Sequence, residues 1–205
     1  MPASIHTVSL VLCLNKKNPK RAQFIGYLWG NALNDYLSDM VVAQTYALYN
    51  HHIIRDRIFA ILKKLCKAKY VESIFTTHNY ISVSGEHPML RKGAVRADEG
   101  EHFCLPFNMR DGIAICVGKG NADWNCSAPH GAGRIMSRNA AKTNISMNDF
   151  KQSMDSIFST SVCPETLDES PQAYKPMNDI LRLIEPTAEV ITMVRPRINI
   201  KDVPK

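Results

Sequence analysis

The stretch Ser127-Ala-Pro-His130-Gly131-Ala132-Gly133-Arg134-Ile-Met-Ser137-Arg138 sets one histidine in a run of small residues and follows it with two arginines. It also divides the chain: strand-like segments precede it and helix-like segments follow. Small residues let a backbone and an imidazole ring come close to a ligand, and guanidinium forks match phosphate oxygens. A neutral imidazole nitrogen is a competent nucleophile toward a phosphoryl group once the phosphate charge is offset. Spacing alone leaves a second reading open, in which the glycines shape a tight turn and a helix starts near Arg134.

Downstream, Ser146 reads as the cap of a further helix, with Asp149 completing a Ser-x-x-Asp signature. Pro164, Pro171 and Pro176 punctuate the next loop, residues 177–184 read as a short helix, and residues 189–200 as an extended closing segment interrupted by Pro196. Upstream, residues 71–75, 80–83, 102–105 and 113–117 have the length and content of strands. The loops between them carry His78-Asn79, the cationic run from Arg91 to Arg96, and the polar turn Asn108-Met-Arg-Asp-Gly112. Earlier still, apolar positions from Leu33 to Leu48 and from Ile54 to Leu65 recur at helical spacing, as one long helix or a broken pair. The adjacent His51 and His52 point to different sides of such a helix and do not make a joint metal site. Helices first, strands next and a mixed end predict an α+β fold, a mixed β-sheet with packed helices.

Composition bounds the function. The 205 residues suffice for one sizeable core, and 45% hydrophobic with 21% charged residues is ordinary for a globular protein. No apolar run reaches membrane-helix length, and the apolar start at residues 5–14 lacks the charge and cleavage pattern of a signal peptide, so a cytoplasmic protein with no membrane partner is expected. Cys13, Cys66, Cys104, Cys116, Cys126 and Cys163 show no C-x-x-C spacing and read as reduced and mostly buried. The net charge of +6 permits an anionic partner such as nucleic acid. Much of the excess lies in Lys16, Lys17, Lys20 and Arg21 and in Lys63, Lys64, Lys67 and Lys69, read as solvated faces.

Six motifs in order resemble one family. They are His78-Asn79, Arg91-Lys92-Gly-Ala-Val-Arg96-Ala97, the turn from Pro106 to Gly112, His130-Gly-Ala-Gly-Arg134-Ile-Met-Ser-Arg138, Ser170-Pro-Gln-Ala-Tyr174-Lys175, and Val194-Arg-Pro-Arg-Ile-Asn-Ile-Lys201. Their order is that of RtcB-type RNA ligases, and the chain is similar to the C-terminal half of such a protein, in a divergent subgroup with the Asn-Met-Arg-Asp-Gly turn. The resemblance implies a GTP- and manganese-dependent enzyme joining RNA 3′-phosphate or 2′,3′-cyclic phosphate ends to 5′-hydroxyl ends, as in tRNA splicing or RNA repair. It implies an RtcB-like, incomplete domain over residues 21–205, with residues 1–20 poorly matched.

By the same resemblance, His130 is the nucleophile that carries GMP, and Gly131, Ala132, Gly133, Tyr174 and Lys201 bind the nucleotide. His78 is a manganese ligand, and Lys92 and Arg138 contact phosphate or RNA. Upstream of His78, where the family carries the Asp-x-x-Cys and Gly-Gly-Asn-His motifs that complete its two-manganese site, this sequence shows neither. Two alternatives follow: an inactive RNA-binding remnant, or one half of a split ligase that needs a second chain carrying the missing ligands.

Overall fold

The computed structural model describes residues 12–13, 25–26, 28–83 and 88–201. Its element types make an α+β fold of helices and small antiparallel sheets, as expected. Contacts gather the chain into two units, residues 1–72 with 80–90, and residues 73–79 with 91–205. The basic stretch Lys16 to Arg21 and the Cys13 side chain lie outside what is described, as does the tail beyond Lys201.

The first unit is dominated by α1, Gly30–Cys66, a single unbroken helix of 37 residues. Nothing in its sequence breaks it: no proline or interior glycine interrupts the run, and His51 and His52 continue it. It ends where Lys67 turns left-handed, with Lys63 and Lys64 in the last turn facing the negative end of the helix dipole. None of its residues is buried, and Val42, Tyr46, Ile53, Ile58 and Leu65 are exposed. Two short strands, β1 (Leu12–Cys13) and β2 (Ile25–Gly26), pair antiparallel in the same unit.

Strand β3 spans His78–Ser82, β4 Met89–Arg96 and β7 Ser127–Pro129, in the sheet order β3-β4-β7. The cationic run from Arg91 to Arg96 is therefore strand rather than loop. Its Arg91 side chain is buried, donating from Nε to Ser127 Oγ at 3.2 Å and from Nη2 to the Asn125 carbonyl at 3.4 Å, while Arg96 grips Glu101 with two hydrogen bonds of 2.7 and 2.9 Å. Residues 71–75, expected as a strand, form no regular element; Val71 is 89% exposed, and without a ladder neighbour an apolar run has nothing to pair with.

The second sheet, β5 (His102–Pro106), β6 (Ile113–Gly118) and β8 (Ala188–Val194), is antiparallel throughout, with a register shift at Ile115/Cys116. In β6, Ala114, Cys116 and Gly118 alternate inward, the period-2 pattern that buries one face. Phe103, Leu105, Phe107, Ala114, Cys116, Ile180 and Ile184 form one core cluster, to which α4 (Met177–Ile184) brings one face. A second cluster gathers Met109, Ala141, Phe150, Met154, Leu167 and Ala173 under α2 (Arg138–Asn144) and α3 (Met147–Ser153).

The helix expected from Arg134 begins at Arg138 instead, capped by Ser137, whose Oγ accepts from Ala140 N. Arg134 is held in a bridge to Tyr174, which keeps its backbone extended. Ser146 caps α3 as expected. Of the cysteines described, all are free, but only Cys116 is buried; the expectation of mostly buried thiols fails because Cys104, Cys126 and Cys163 sit at partly open edges and Cys66 at the end of α1. No helix among the described residues is long and apolar enough to cross a membrane.

Candidate active site

Strand β7 delivers His130. Its last two residues pair with β4 at Ala128↔Val95 and Pro129↔Ala94, and the His130 amide continues the ladder by donating to the Gly93 carbonyl at 3.3 Å. The chain then leaves the sheet: Ala132 N donates to the Pro106 carbonyl at 3.0 Å, and Gly133 turns with φ 71° before the Lys175 amide donates to its carbonyl at 3.0 Å. His130 itself is exposed, at the rim of a cavity.

His78 reaches the same place from another strand. Asn79, the next residue, is left-handed at φ 58°, and its Oδ1 accepts from Gly93 N at 3.1 Å. That bond ties the start of β3 to the middle of β4, beside the amide ladder that holds His130. The two imidazoles stack with centroids 5.2 Å apart and planes 13° apart. A Cβ on Gly93 would meet the His130 ring at 3.7 Å, ordinary contact, but φ 71° at that position favours glycine.

The cavity has a volume of about 710 Å³, within the range of small-molecule sites. Its wall includes His130 to Arg134, Tyr174 and Lys201, together with Phe107, Asn108 and Asn199. Four of the residues expected to hold a nucleotide beside His130, namely Gly131, Ala132, Gly133 and Tyr174, thus share one cavity with Lys201. A second cavity, about 490 Å³, also touches His130 to Gly133 and is bounded by Trp124, Lys175 and Leu183.

An ionic network stands behind the first cavity. Arg134 stacks on the Tyr174 ring at 4.8 Å and donates through Nη1 to the Asp168 carbonyl at 2.5 Å and through Nη2 to Glu169 Oε1 at 2.9 Å. Glu169 Oε2 accepts from the Tyr174 hydroxyl at 2.7 Å and from Lys201 Nζ at 2.5 Å. Burial pushes the Tyr174 phenol up to about 12, and the Glu169 carboxylate that accepts its proton adds to the rise. Burial alone would raise Glu169, but the hydrogen bonds from Lys201 and Tyr174, with the charges of Lys201 and Arg134, hold it below the ordinary glutamate value.

Lys92 and Arg138 stand elsewhere. Lys92 is exposed on β4, and Arg138, 69% exposed at the start of α2, meets Asp168 at 3.0 Å; neither lines the cavity. The described residues contain no cluster of three or more His, Cys, Asp or Glu side chains that could hold a metal ion. His78 supplies one imidazole, which falls short of a divalent-ion site, so the described residues do not by themselves fit a two-metal centre.

Asp168 and Glu169 were not singled out in the sequence, although an acidic pair directly before Ser-Pro-Gln-Ala-Tyr is a visible signal. In the sequence Arg134 is one of a cationic pair, and its partner, the Tyr174 ring, lies 40 residues away.

A family model described as tRNA-splicing ligase RtcB matches residues 15–202. The RNA-splicing ligase RtcB of Escherichia coli (strain K12) is 30% identical over 179 residues, covering 82% of this chain and 44% of that protein. The tRNA-splicing ligase RtcB of Archaeoglobus fulgidus is 26% identical over 195 residues, covering 79% of this chain and 40% of that protein. The chain spans less than half the length of these curated relatives. With a family model matching nearly its whole length, this chain belongs to the RtcB family of RNA ligases.

Proposed function

We propose that this chain forms the nucleotide-carrying part of an RNA ligase that joins 3′-phosphate, or 2′,3′-cyclic phosphate, ends to 5′-hydroxyl ends. The observation that supports it most is His130 at the rim of a cavity of about 710 Å³ whose wall also holds Tyr174 and Lys201. A nucleotide base fits against Tyr174 with Lys201 at its polar edge, and the phosphates then lie toward His130 and the Gly131 to Gly133 backbone.

In this reading an imidazole nitrogen of His130 attacks the α-phosphorus of GTP; a P–N bond forms, the bond to the β-phosphate breaks, and pyrophosphate leaves. An oxygen of the RNA 3′-phosphate then displaces the histidine and takes up GMP. The 5′-hydroxyl of the second RNA end attacks the activated 3′-phosphate, losing its proton and releasing GMP. A cyclic phosphate end is first hydrolysed: water attacks the phosphorus, the bond to the 2′-oxygen breaks, and a 3′-phosphate and a 2′-hydroxyl result. Stacking against His78 fixes the His130 ring before the attack, so less orientational freedom is lost on the way to the transition state.

His78 serves in this reading as one manganese ligand, with further ligands coming from protein outside the described residues, whether upstream in a longer chain or on a second chain. Lys92 and Arg138, both exposed, serve RNA phosphates. The free cysteines fit a reducing, cytoplasmic setting.

Intact-mass measurement after incubation with GTP and manganese tests the nucleotide step. A covalent GMP on the native chain and none on His130→Ala is the expected result. An adduct that persists on the variant overturns His130 as carrier. Absence from both, in folded protein, moves the activity to an assembly that includes the missing ligands, and the same comparison repeated there decides the matter.

A further inference from the structure

Glu169 joins three members of the cavity wall without belonging to it. It lies at the end of a 3-10 turn, Pro164–Glu169, with its side chain 16% exposed. Oε1 accepts from Arg134, and Oε2 accepts from both Tyr174 and Lys201. Arg134, Tyr174 and Lys201 all line the cavity; Glu169 does not.

Each partner needs such a hold for its own reason. Lys201 has a flexible four-carbon stem and a compact charge, so without an anchor its ammonium spreads over many rotamers. The Tyr174 hydroxyl donates to Glu169 at 2.7 Å and accepts from Arg134 Nη2 at 3.2 Å, which fixes the outer end of the ring. Arg134 lies over that ring, and its guanidinium is held on one side by the Asp168 carbonyl and on the other by Glu169. The Glu169 carboxylate, which Arg138 also approaches at 3.4 Å, offsets the repulsion between Arg134 and Lys201 and allows them to stand close together.

We propose that Glu169 is a positioning residue of the nucleotide pocket, holding Lys201, Tyr174 and Arg134 from behind the wall in the arrangement that recognises a guanine base. The inference rests on the reading of this cavity as a guanine-nucleotide site. Its chemical content is specific: Lys201 presents an N–H donor where guanine offers O6 and N7 acceptors, whereas adenine offers an amino donor at the position of O6. Glu169 therefore governs discrimination between the two bases through Lys201, as well as affinity.

A double-mutant cycle on the full chain tests this, using GMP and AMP as probes in equilibrium binding by native protein, Glu169→Gln, Lys201→Met and the double variant. The expected result is roughly tenfold weaker GMP binding in Glu169→Gln, the scale of a lost charge-assisted hydrogen bond, with AMP binding little changed. In the Lys201→Met background, Glu169→Gln should cost clearly less than in native protein, the remainder acting through Tyr174 and Arg134, because residues in direct contact are not additive. Additive losses, or equal losses for GMP and AMP, overturn the proposal and leave Glu169 a merely structural residue. Native protein that binds neither nucleotide, or does not prefer GMP, fails the guanine-site reading, and the positioning role falls with it; preference for GMP with an unaffected Glu169→Gln fails the positioning role alone. If Glu169→Gln melts early, Glu169→Asp, which keeps the charge but withdraws it by one methylene, takes its place under the same criteria.

Discussion

The rings of His78 and His130 lie nearly parallel, 13° apart with centroids 5.2 Å from each other, although 51 residues of intervening chain separate them. Two backbone devices bring them together: the ladder bond from His130 N to the Gly93 carbonyl, and the side-chain bond by which Asn79 Oδ1 accepts from Gly93 N. Gly93 thus serves both histidines, one through each of its backbone groups.

Replacing Asn79 separates conformation from hydrogen bonding. Asn79→Gly keeps the left-handed backbone at φ 58° but removes the acceptor for Gly93 N, a loss of about 1 kcal/mol. Asn79→Ala loses the same bond and adds the cost of a left-handed alanine, together about 2 kcal/mol. Urea unfolding of both variants should rank them native, glycine, alanine. Equal stability of the glycine variant and native protein would show that the Asn79 side chain holds nothing. Both variants should also form less GMP adduct than native protein, since the His78 ring loses its anchor.

Gly112 closes the polar turn under the cavity. It is left-handed at φ 84°, its carbonyl accepts from Phe107 N at 2.9 Å, and a Cβ there would overlap the Val194 carbonyl oxygen. Gly112→Ala cannot be relieved by a side-chain rotation, because the obstacle is backbone of the neighbouring strand β8. The expected cost is about 3 kcal/mol or more, joining a conformational penalty to a steric one. Chemical denaturation reads it directly; a loss below about 1 kcal/mol would mean that the turn reshapes freely.

The cap of α3 offers a smaller test. Ser146 Oγ accepts from Asp149 N at 3.1 Å and donates to the Asp149 carboxylate at 2.7 Å. Ser146→Ala should cost about 1 kcal/mol, and Ser146→Asp should restore most of the amide bond while setting two carboxylates against each other. Thermal melting distinguishes the two, and an alanine variant as stable as native would rule out a stabilising cap.

What could be read from the sequence follows physical locality. The α3 cap and the helix at residues 177–184 depend on neighbours within a turn, so spacing and capping chemistry suffice for both. Strand β4 was hidden because one of its two buried positions, beside Val95, is an arginine; only the fold supplies Ser127 and the Asn125 carbonyl that make burial of Arg91 tolerable. Residues 71–75 failed in the opposite sense, having strand composition but no strand beside them. In the site, His130, Tyr174 and Lys201 were marked by ordered motifs. Glu169 was missed because its significance lies in three partners 5, 32 and 35 residues away, a convergence that no local pattern encodes.

Acid provides the last test, because Glu169 is held below its ordinary value in the folded chain and returns to that value, about 4.5, when the chain unfolds. A carboxylate depressed in this way contributes stability that is fully present above the unfolded pKa and is lost as pH falls through the folded one. Melting temperature should therefore fall as pH drops below the ordinary glutamate value of 4.5, and part of that fall should vanish in Glu169→Gln, which has no proton to take up. Asp111, also depressed through its bonds from Arg110 and Asn108 against the pull of burial, keeps titrating in the variant, so the difference between the two curves isolates Glu169. At the alkaline end the sign reverses. Tyr174 ionises near 12 in the folded chain against 10.0 ordinarily, so its contribution is present below about 10 and lost as pH rises toward about 12. Removing the negative charge in Glu169→Gln should bring the Tyr174 ionisation down, visible as phenolate absorbance appearing at lower pH than in native protein. Superimposable acid melting curves and an unmoved phenolate transition would mean that Glu169 and Tyr174 are not coupled in solution as their 2.7 Å hydrogen bond requires.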